Sequence, residues 1–491
     1  MKSVVMIAHD FPPEGNAGVY RPLRFVRNLP KFGWKPIVIS LAANSYERYD
    51  PQLLASVPRE TKIIRVANRD PWRSFQHWRA KRIRGYLEGA SLERIRQVND
   101  AQRRPSRASL REMVRQAEAW FYHPDPEMGW IRPAIKATLQ ACAEKRPEVI
   151  WATAGPVSSF VVAQKCSEFT GIPYVLDFRD AWTITYNDFE DRRPTWAKGY
   201  EQRRMYRLLE RAQSVVFRFP AEAECFSRAY PGAVQASKVY IIPNGYEGAI
   251  DEFVPPKTQK CEILYTGTLS DYRYDTLLQG LWSLKQSTPD LVDHLHLRFV
   301  GEGTDALGKD AAQLGLSQII SVQSATTYDE VRKLTKQVHA LLILGRPAVK
   351  RGHELFAGAK LFGYIKSGMP IVGVLPPDET RNVLLRLGVS TVADVERPSE
   401  VATIISRLIN AWRQEELISL VPDRRICERY SSDWQIQELR RAFDGSPAAE
   451  PFVPGAADVP ASLRSEIAER AARYIYRAHL SGQRVFTRSR T

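Results

Sequence analysis

Apolar residues in the first half of the chain fall in short, unbroken, β-branched runs separated by stretches of helical spacing. The runs are SVVMIA (3–8), KPIVIS (35–40), KIIRV (62–66), EVIWAT (148–153), PYVLDF (173–178), SVVFRF (214–219) and KVYIIP (238–243). They are continuous rather than alternating, as strands covered on both faces are. Between the first two, AGVYRPLRFVRNLPKFG (17–33) sets Leu23, Val26 and Leu29 at helical spacing and ends on Gly33, which predicts a helix with a glycine stop. The rhythm restarts after PNGY (243–246). EILYTG (262–267), HLHLRFVG (294–301), IISVQS (319–324), ALLILG (340–345) and PIVGVL (370–375) read as strands, with helical patterns between them, as in YDEVRKLTKQV (328–338).

Two successive βα alternations predict an α/β chain with two doubly wound, Rossmann-like domains. Ligands of such sheets sit at the carboxyl ends of the strands, so the expected arrangement is two domains facing a central cleft. The expected division is a first domain over 1–243, a second over 244–425, a helix over 426–445 that returns to the first, and a tail over 446–491. Two regions break the alternation. A basic helical insertion occupies about 72–118, and its part 72–111 holds eleven Lys or Arg against three acids, with Trp72, Phe75, Trp78, Ile83, Tyr86 and Leu87 at helical spacing. The tail opens with the Pro/Ala-rich SPAAEPFVPGAADVPAS (446–462), a linker by composition. A short amphipathic helix over 463–480 follows, with Leu463, Ile467, Tyr474 and Ile475 on one face.

Composition sharpens this picture at three points. The length of 491 residues exceeds what one core supports. No run of about 18 apolar residues predicts a membrane span. The net charge of +15, from 70 Lys plus Arg against 55 Asp plus Glu, favours a polyanionic partner. The five scattered cysteines, without a Cys-x-x-Cys pair, read as buried thiols of a cytoplasmic protein.

Candidate chemistry lies at strand-to-helix turns. HDFPPEGNAGVYRP follows the first strand and places Gly15 and Gly18 where backbone can approach a ligand; a glycine-rich turn without a ligand is the other reading. YTGTLSDYRYDTLLQGL (265–281) repeats the arrangement, with Gly267 and Thr268 after the strand and Arg273 before the helix. A phosphate held there meets N–H groups, a helix dipole and a guanidinium. FVGEGTD (299–305) offers Gly301 and Gly303 as a surface for a flat base or ribose. GAKLFGYIKSGMPIVG (358–373) starts a helix at Lys360, where a cation opposes the dipole unless an anion binds. Gly368 fits the left-handed helix stop and Pro370 bars continuation. A solvated surface lysine is the plainer alternative for Lys360.

Together the opening segment to residue 40, strand–TGTL–helix, FVGEGTD and KLFGYIKSGMPIVG resemble bacterial glycosyltransferase family 4, of the GT-B fold. FYHPDPEMGW (121–130) and DFRDAWT (177–183) are similar to segments of a branch acting on surface polysaccharides. The resemblance covers about residues 1–445 less the insertion. It implies sugar transfer from a nucleotide diphosphate donor, held by the second domain, with retention at the anomeric carbon and no metal or other cofactor. Lys360 and Arg273 are then the groups that take up charge on the diphosphate, with Gly267, Thr268, Gly301, Gly303, Glu354 and Leu361 on the donor side. His9, Asp10 or Asp180 would bind the acceptor or assist proton transfer, although an Asp–Arg pair fixing its own loop is the other reading of Arg179 and Asp180. Relatives commonly carry an acid where this chain has Gly363, which leaves open a catalytically silent GT-B protein. The expected acceptor is a glycan or a polyprenyl-linked sugar. The insertion fits an interfacial helix on anionic lipid or a hairpin packed on its own domain, and the expected location is the inner face of the cell membrane. No nucleic-acid module accompanies the charge. His294 and His296 read as structural.

Overall fold

The computed structural model describes residues 1–42, 50–70, 113, 117–184, 193–270, 272–346 and 352–480, with residues 328 and 473–480 described as backbone only. The aromatic positions of the basic insertion from Trp72 to Leu87 lie outside the described residues. The chain divides into two compact units, Met1–Pro243 with Ile436–Thr491, and Asn244–Gln435. The return to the first unit therefore begins at Ile436 rather than near 426.

The first unit carries β1 (Lys2–Ile7), β2 (Trp34–Leu41), β3 (Lys62–Val66), β4 (Val149–Thr153), β5 (Tyr174–Asp177), β6 (Ser214–Phe217) and β7 (Val239–Ile241). Its longer helices are α1 (Tyr20–Asn28), α2 (Met128–Lys145), α3 (Ser158–Thr170), α4 (Thr195–Arg211) and α5 (Pro220–Ala229). The strands form one parallel sheet in the order β3-β2-β1-β4-β5-β6-β7, in register at Val5↔Ile37 and Met6↔Trp151. The strand order reverses between β1 and β4, the point at which doubly wound sheets open a crevice. The helix predicted over 17–33 is α1 flanked by two 3-10 turns, and Gly33 closes it at φ 83°.

The second unit carries β8 (Cys261–Thr266), β9 (Leu295–Val300), β10 (Ile320–Gln323), β11 (Ala340–Leu344), β12 (Ile371–Leu375) and β13 (Val392–Asp394). Between them run α6 (Asp275–Ser287), α7 (Thr304–Gln313), α8 (Tyr328–Thr335), α9 (Lys360–Ser367), α10 (Glu379–Arg386) and α11 (Pro398–Arg413). The parallel order β10-β9-β8-β11-β12-β13 reverses between β8 and β11. α9 ends on Gly368 at φ 64°, the left-handed stop expected of it. Gly363 lies exposed inside α9, and a Cβ added there meets nothing within 4 Å. Gly363→Ala should therefore stabilise the unit by about 0.5–1 kcal/mol, because glycine loses more backbone freedom than alanine in a helix. A higher urea midpoint at unchanged slope checks this.

The chain then returns as α12 (Ser432–Asp444) and, after the Pro/Ala stretch, α13 (Arg464–Leu480). α12 completes the first core. Ile436, Leu439 and Phe443 join Val4, Met6, Phe25, Trp34 and Trp151 in one buried cluster, with Phe443 edge-on to Trp34 at 5.0 Å. Each such side chain contributes roughly 1.5–3 kcal/mol by leaving water. All five cysteines are buried and unbridged. His296 pairs with Glu262 at 2.8 Å and His294 packs on Trp412, so both are structural.

One buried clamp ties together the carboxyl ends of the first sheet. Arg21 of α1 and Asp177 of β5 pair at 2.6 Å with almost no exposure. Thr153 of β4 donates to the same carboxylate at 2.9 Å. The Arg21 guanidinium also donates to the carbonyls of Ile242 and Pro243 beyond β7.

Candidate functional site

At the carboxyl ends of β8, β11 and β12 the second unit has a small open recess, lined among others by Tyr265, Tyr272, Arg346, Phe356, Lys360 and Asp378. Lys360 opens α9, so its side chain enters from the positive end of a helix. Its ammonium lies 4.2 Å from the ring centre of Tyr265 and 5.1 Å from that of Tyr272, and donates to the Tyr265 hydroxyl at 3.1 Å. Burial, then the nearby charge of Arg346, push its pKa down to about 8. The guanidinium of Arg346 lies 5.1 Å from the ring centre of Tyr272 and 5.2 Å from that of Phe356. Beneath them Asp378 caps α10, accepting from the N–H of Arg381 at 2.9 Å, and burial raises its pKa to about 7.

Three unfavourable terms thus converge on Lys360: desolvation, a like charge and the helix dipole. An anion in the recess reverses all three. Binding of a diphosphate should therefore take up protons near pH 8. Above about pH 8 the lysine is neutral in the empty recess, so affinity should fall by up to about tenfold per pH unit. Deprotonation of Asp378 near pH 7 acts in the same direction. Calorimetry between pH 7 and 9 checks the slope; a flat profile would speak against Lys360 as a ligand.

The other residues expected on the donor side have varied places. Gly267 is held against Lys360; a Cβ there would sit 2.7 Å from the lysine Cε and Nζ. Gly301, at φ 155°, packs on the backbone of Gly267, its missing Cβ falling 2.1 Å from the Gly267 carbonyl oxygen. It fixes the turn after β8 through close approach of two backbones. Gly303 begins α7 at φ 78°, and Thr268 is exposed, its carbonyl taken by the Tyr265 hydroxyl at 2.9 Å. Glu354 lies in a 3-10 turn beside His353 at 3.1 Å. Leu361 departs from its expected role. Its side chain is fully buried and its N–H donates to the Gly358 carbonyl at 3.1 Å. Arg273 departs as well. It pairs with Asp275 at 2.8 Å and with Glu396, and its N–H donates to the Gly345 carbonyl. Arg346, rather than Arg273, lines the recess together with Lys360.

The first unit gathers a second cluster at its own reversal point. His9 and Asp10 follow β1. His9 is buried, with Nδ1 2.8 Å from Asp10, Nε2 3.5 Å from Glu127 and its ring edge-on to Trp130. Burial alone would lower its pKa, but the two carboxylates outweigh this and push it up to about 10. The two carboxylates thus favour the protonated ring at neutral pH. The stability it confers is complete below the ordinary histidine pKa and is lost as pH rises through about 10. Asp10 accepts from Asn16 at 2.8 Å, and the charge of His9 helps hold its carboxyl below the usual range. Arg179 lies where a Cβ on Gly18 would fall, 1.5 Å from its Nη1, and donates to the Gly155 carbonyl at 3.2 Å. Gly18 therefore admits a side chain of its own unit, and Arg179 and Asp180 pair at 3.4 Å with the Asp180 carboxylate 64% exposed. Gly15 is half-buried ahead of the 3-10 turn Ala17–Val19.

Arg346, Tyr265, Tyr272 and Glu127 are the residues that sequence reasoning missed here. The signal for Arg346 was its position: GRPAVK directly follows a strand that flanks the reversal point.

Residues 97–247 match Glycosyltransferase Family 4. The matched segment is less than a third of the chain and lies mostly in the first unit. The fold assignment rests on solved structures of low sequence identity. HepE from Anabaena, solved with UDP-glucose, shares 13% identity at a TM-score of 0.50, over 90% of this chain and 100% of that one. The lipopolysaccharide outer core galactosyltransferase WaaB shares 13% at 0.53, over 90% and 99%. TarM shares 10% at 0.55, over 90% and 99%. A comparison with curated proteins found no match. Among the described residues of this GT-B chain, no helix is long and apolar enough to cross a membrane.

Proposed function

We propose that this glycosyltransferase moves a sugar from a nucleotide diphosphate donor onto a glycan or lipid-linked acceptor, with retention and without a metal, in the building of a surface polysaccharide. The observation that carries this reading is the pair of cations where β8 and β11 diverge: Lys360, desolvated against Tyr265 and Tyr272, and Arg346, exposed beside Tyr272 and Phe356. The leaving nucleotide develops charge on its phosphates. A fixed ammonium in a partly desolvated recess, with a guanidinium at its exposed side, stabilises that charge more in the transition state than in the bound donor, the task a divalent ion performs in other transferases. The UDP-glucose complex of HepE and the galactosyltransferase description of WaaB support the donor class and the surface-glycan setting. A thermal-shift panel of UDP-, GDP-, dTDP- and ADP-sugars tests the reading; stabilisation by none of them would refute it.

Attachment to an anionic membrane is part of the same reading. Trp196 and Tyr200 stand exposed on α4, with Arg203 and Arg207 on the same outer face. His123 links them to exposed Trp120 and Phe121: its ring meets Trp196 at 5.6 Å and its Nε2 the Trp120 carbonyl at 2.8 Å. Rings that enter the headgroup region beside arginines that face acidic lipid make an interfacial surface. Trp196→Ala with Phe121→Ala should reduce co-sedimentation with phosphatidylglycerol vesicles at least about fivefold. Equal recovery of variant and wild type would remove this surface from the account.

A second reading, a GT-B protein that binds a nucleotide without turnover, is favoured by Gly363 alone. It predicts that Gly363→Glu creates activity absent from the natural protein.

A further inference from the structure

By composition the C-terminal tail opens as a linker and ends in an amphipathic helix. It is instead fastened along the first unit. The Ser446 carbonyl accepts from the Tyr240 hydroxyl. The Ala449 N–H donates to Glu438 at 3.0 Å, and the Gly455 N–H donates to Glu224 at 2.8 Å. Phe452 and Val459 are buried. α13 then docks on α5, with Leu463, Ile467 and Arg470 nearly inaccessible.

Arg470 is the unusual member of this docked face. It is 2% exposed, and its guanidinium donates to the Thr183 carbonyl and pairs with Glu466. Thr183 closes the segment DFRDAWT after β5. It is fully buried and holds φ 67°, a left-handed conformation that a β-branched residue adopts only under constraint. Its hydroxyl lies 2.6 Å from that of Tyr230 on the same docking surface. Phe178, Ala181, Trp182 and Ile184 are buried around it, whereas Asp180 projects into solvent. A guanidinium from about 290 residues away in sequence thus fixes the backbone turn that presents Arg179 and Asp180.

We propose that Arg470 is a positioning residue: through Thr183 the tail helix sets the loop 178–184 at the carboxyl edge of the first sheet, and thereby tunes acceptor use. The functional half of this inference rests on the reading of that loop as acceptor-binding. Donor contacts lie in the second unit and should be unaffected. Loss of the guanidinium leaves a buried carbonyl without its donor and frees Thr183 to relax.

The test uses the full-length chain with Arg470→Met, Arg470→Lys and, as a docking control, Ile467→Ala. Amide hydrogen exchange over 178–184 should speed up at least tenfold in Arg470→Met and return most of the way in Arg470→Lys. Exchange over β8 to β12 should stay at the wild-type rate. With a lipid extract as acceptor, half-saturation for the extract should rise at least fivefold in Arg470→Met, while half-saturation for the nucleotide sugar stays within twofold. Ile467→Ala should lower the melting temperature without that split. Unchanged exchange at 178–184 in Arg470→Met, or donor and acceptor dependence shifting together, would overturn the proposal. If wild type and variants all fail to transfer sugar, the transferase reading fails, and the exchange data still decide whether Arg470 holds the loop.

Discussion

Replacing Lys360 by alanine lowers turnover by about 10²-fold or more, the loss expected when one preorganised charge on a developing anion is removed. That is about 2.7 kcal/mol of transition-state stabilisation. The expectation follows from where the ammonium sits. It is desolvated over two rings, at the wrong end of a helix for a cation and close to another cation, so it contributes little to the empty fold. Lys360→Met keeps most of the apolar stem and separates loss of charge from loss of packing. Arg346→Ala should approach the same loss. Arg273→Ala should change turnover by less than about threefold, because its guanidinium is engaged by Asp275 and Glu396 on the surface. Steady-state rates at saturating donor check all four. A Lys360→Ala enzyme with wild-type turnover would remove the lysine from the chemistry.

Arg21→Met destabilises the first unit by about 3–5 kcal/mol, since it leaves the Asp177 carboxylate buried without its cation. The partners show why the site cannot relax. Asp177 is fully buried, Thr153 already donates to it, and the carbonyls of Ile242 and Pro243 lose their donors at the same time. The exposed pair Lys2–Asp444, although equally short at 2.6 Å, should cost less than about 1 kcal/mol when Lys2 is replaced by alanine. Urea unfolding of both variants measures the contrast. Similar midpoints for the two would show that the buried clamp does not organise the sheet edge.

Among the described residues, twelve of the thirteen strands were legible, most of them because parallel strands covered on both faces leave continuous apolar runs. β13 was not, since Val392–Asp394 is three residues long and ends on an acid. The place of Lys360 at a helix start was legible. Arg273 was misjudged because sequence shows a cation near a turn but not the carboxylates that engage it. Arg346 was passed over although it directly follows a strand, because the rings beside it, Tyr272 and Phe356, lie 74 and 10 residues away. The tail was misread for a similar reason. An apolar stripe on a basic helix looks the same whether it faces lipid or, as Leu463 and Ile467 do, its own protein.

The central claim is that the recess at Lys360 receives the diphosphate of a nucleotide. NMR titration of the Lys360 side-chain amine, in protein labelled at lysine, tests it most directly when done without ligand and with the most stabilising nucleoside diphosphate of the panel. The account predicts a pKa near 8 in the free protein and a rise of at least about one unit on saturation. A titration that the nucleotide leaves where it was would contradict it.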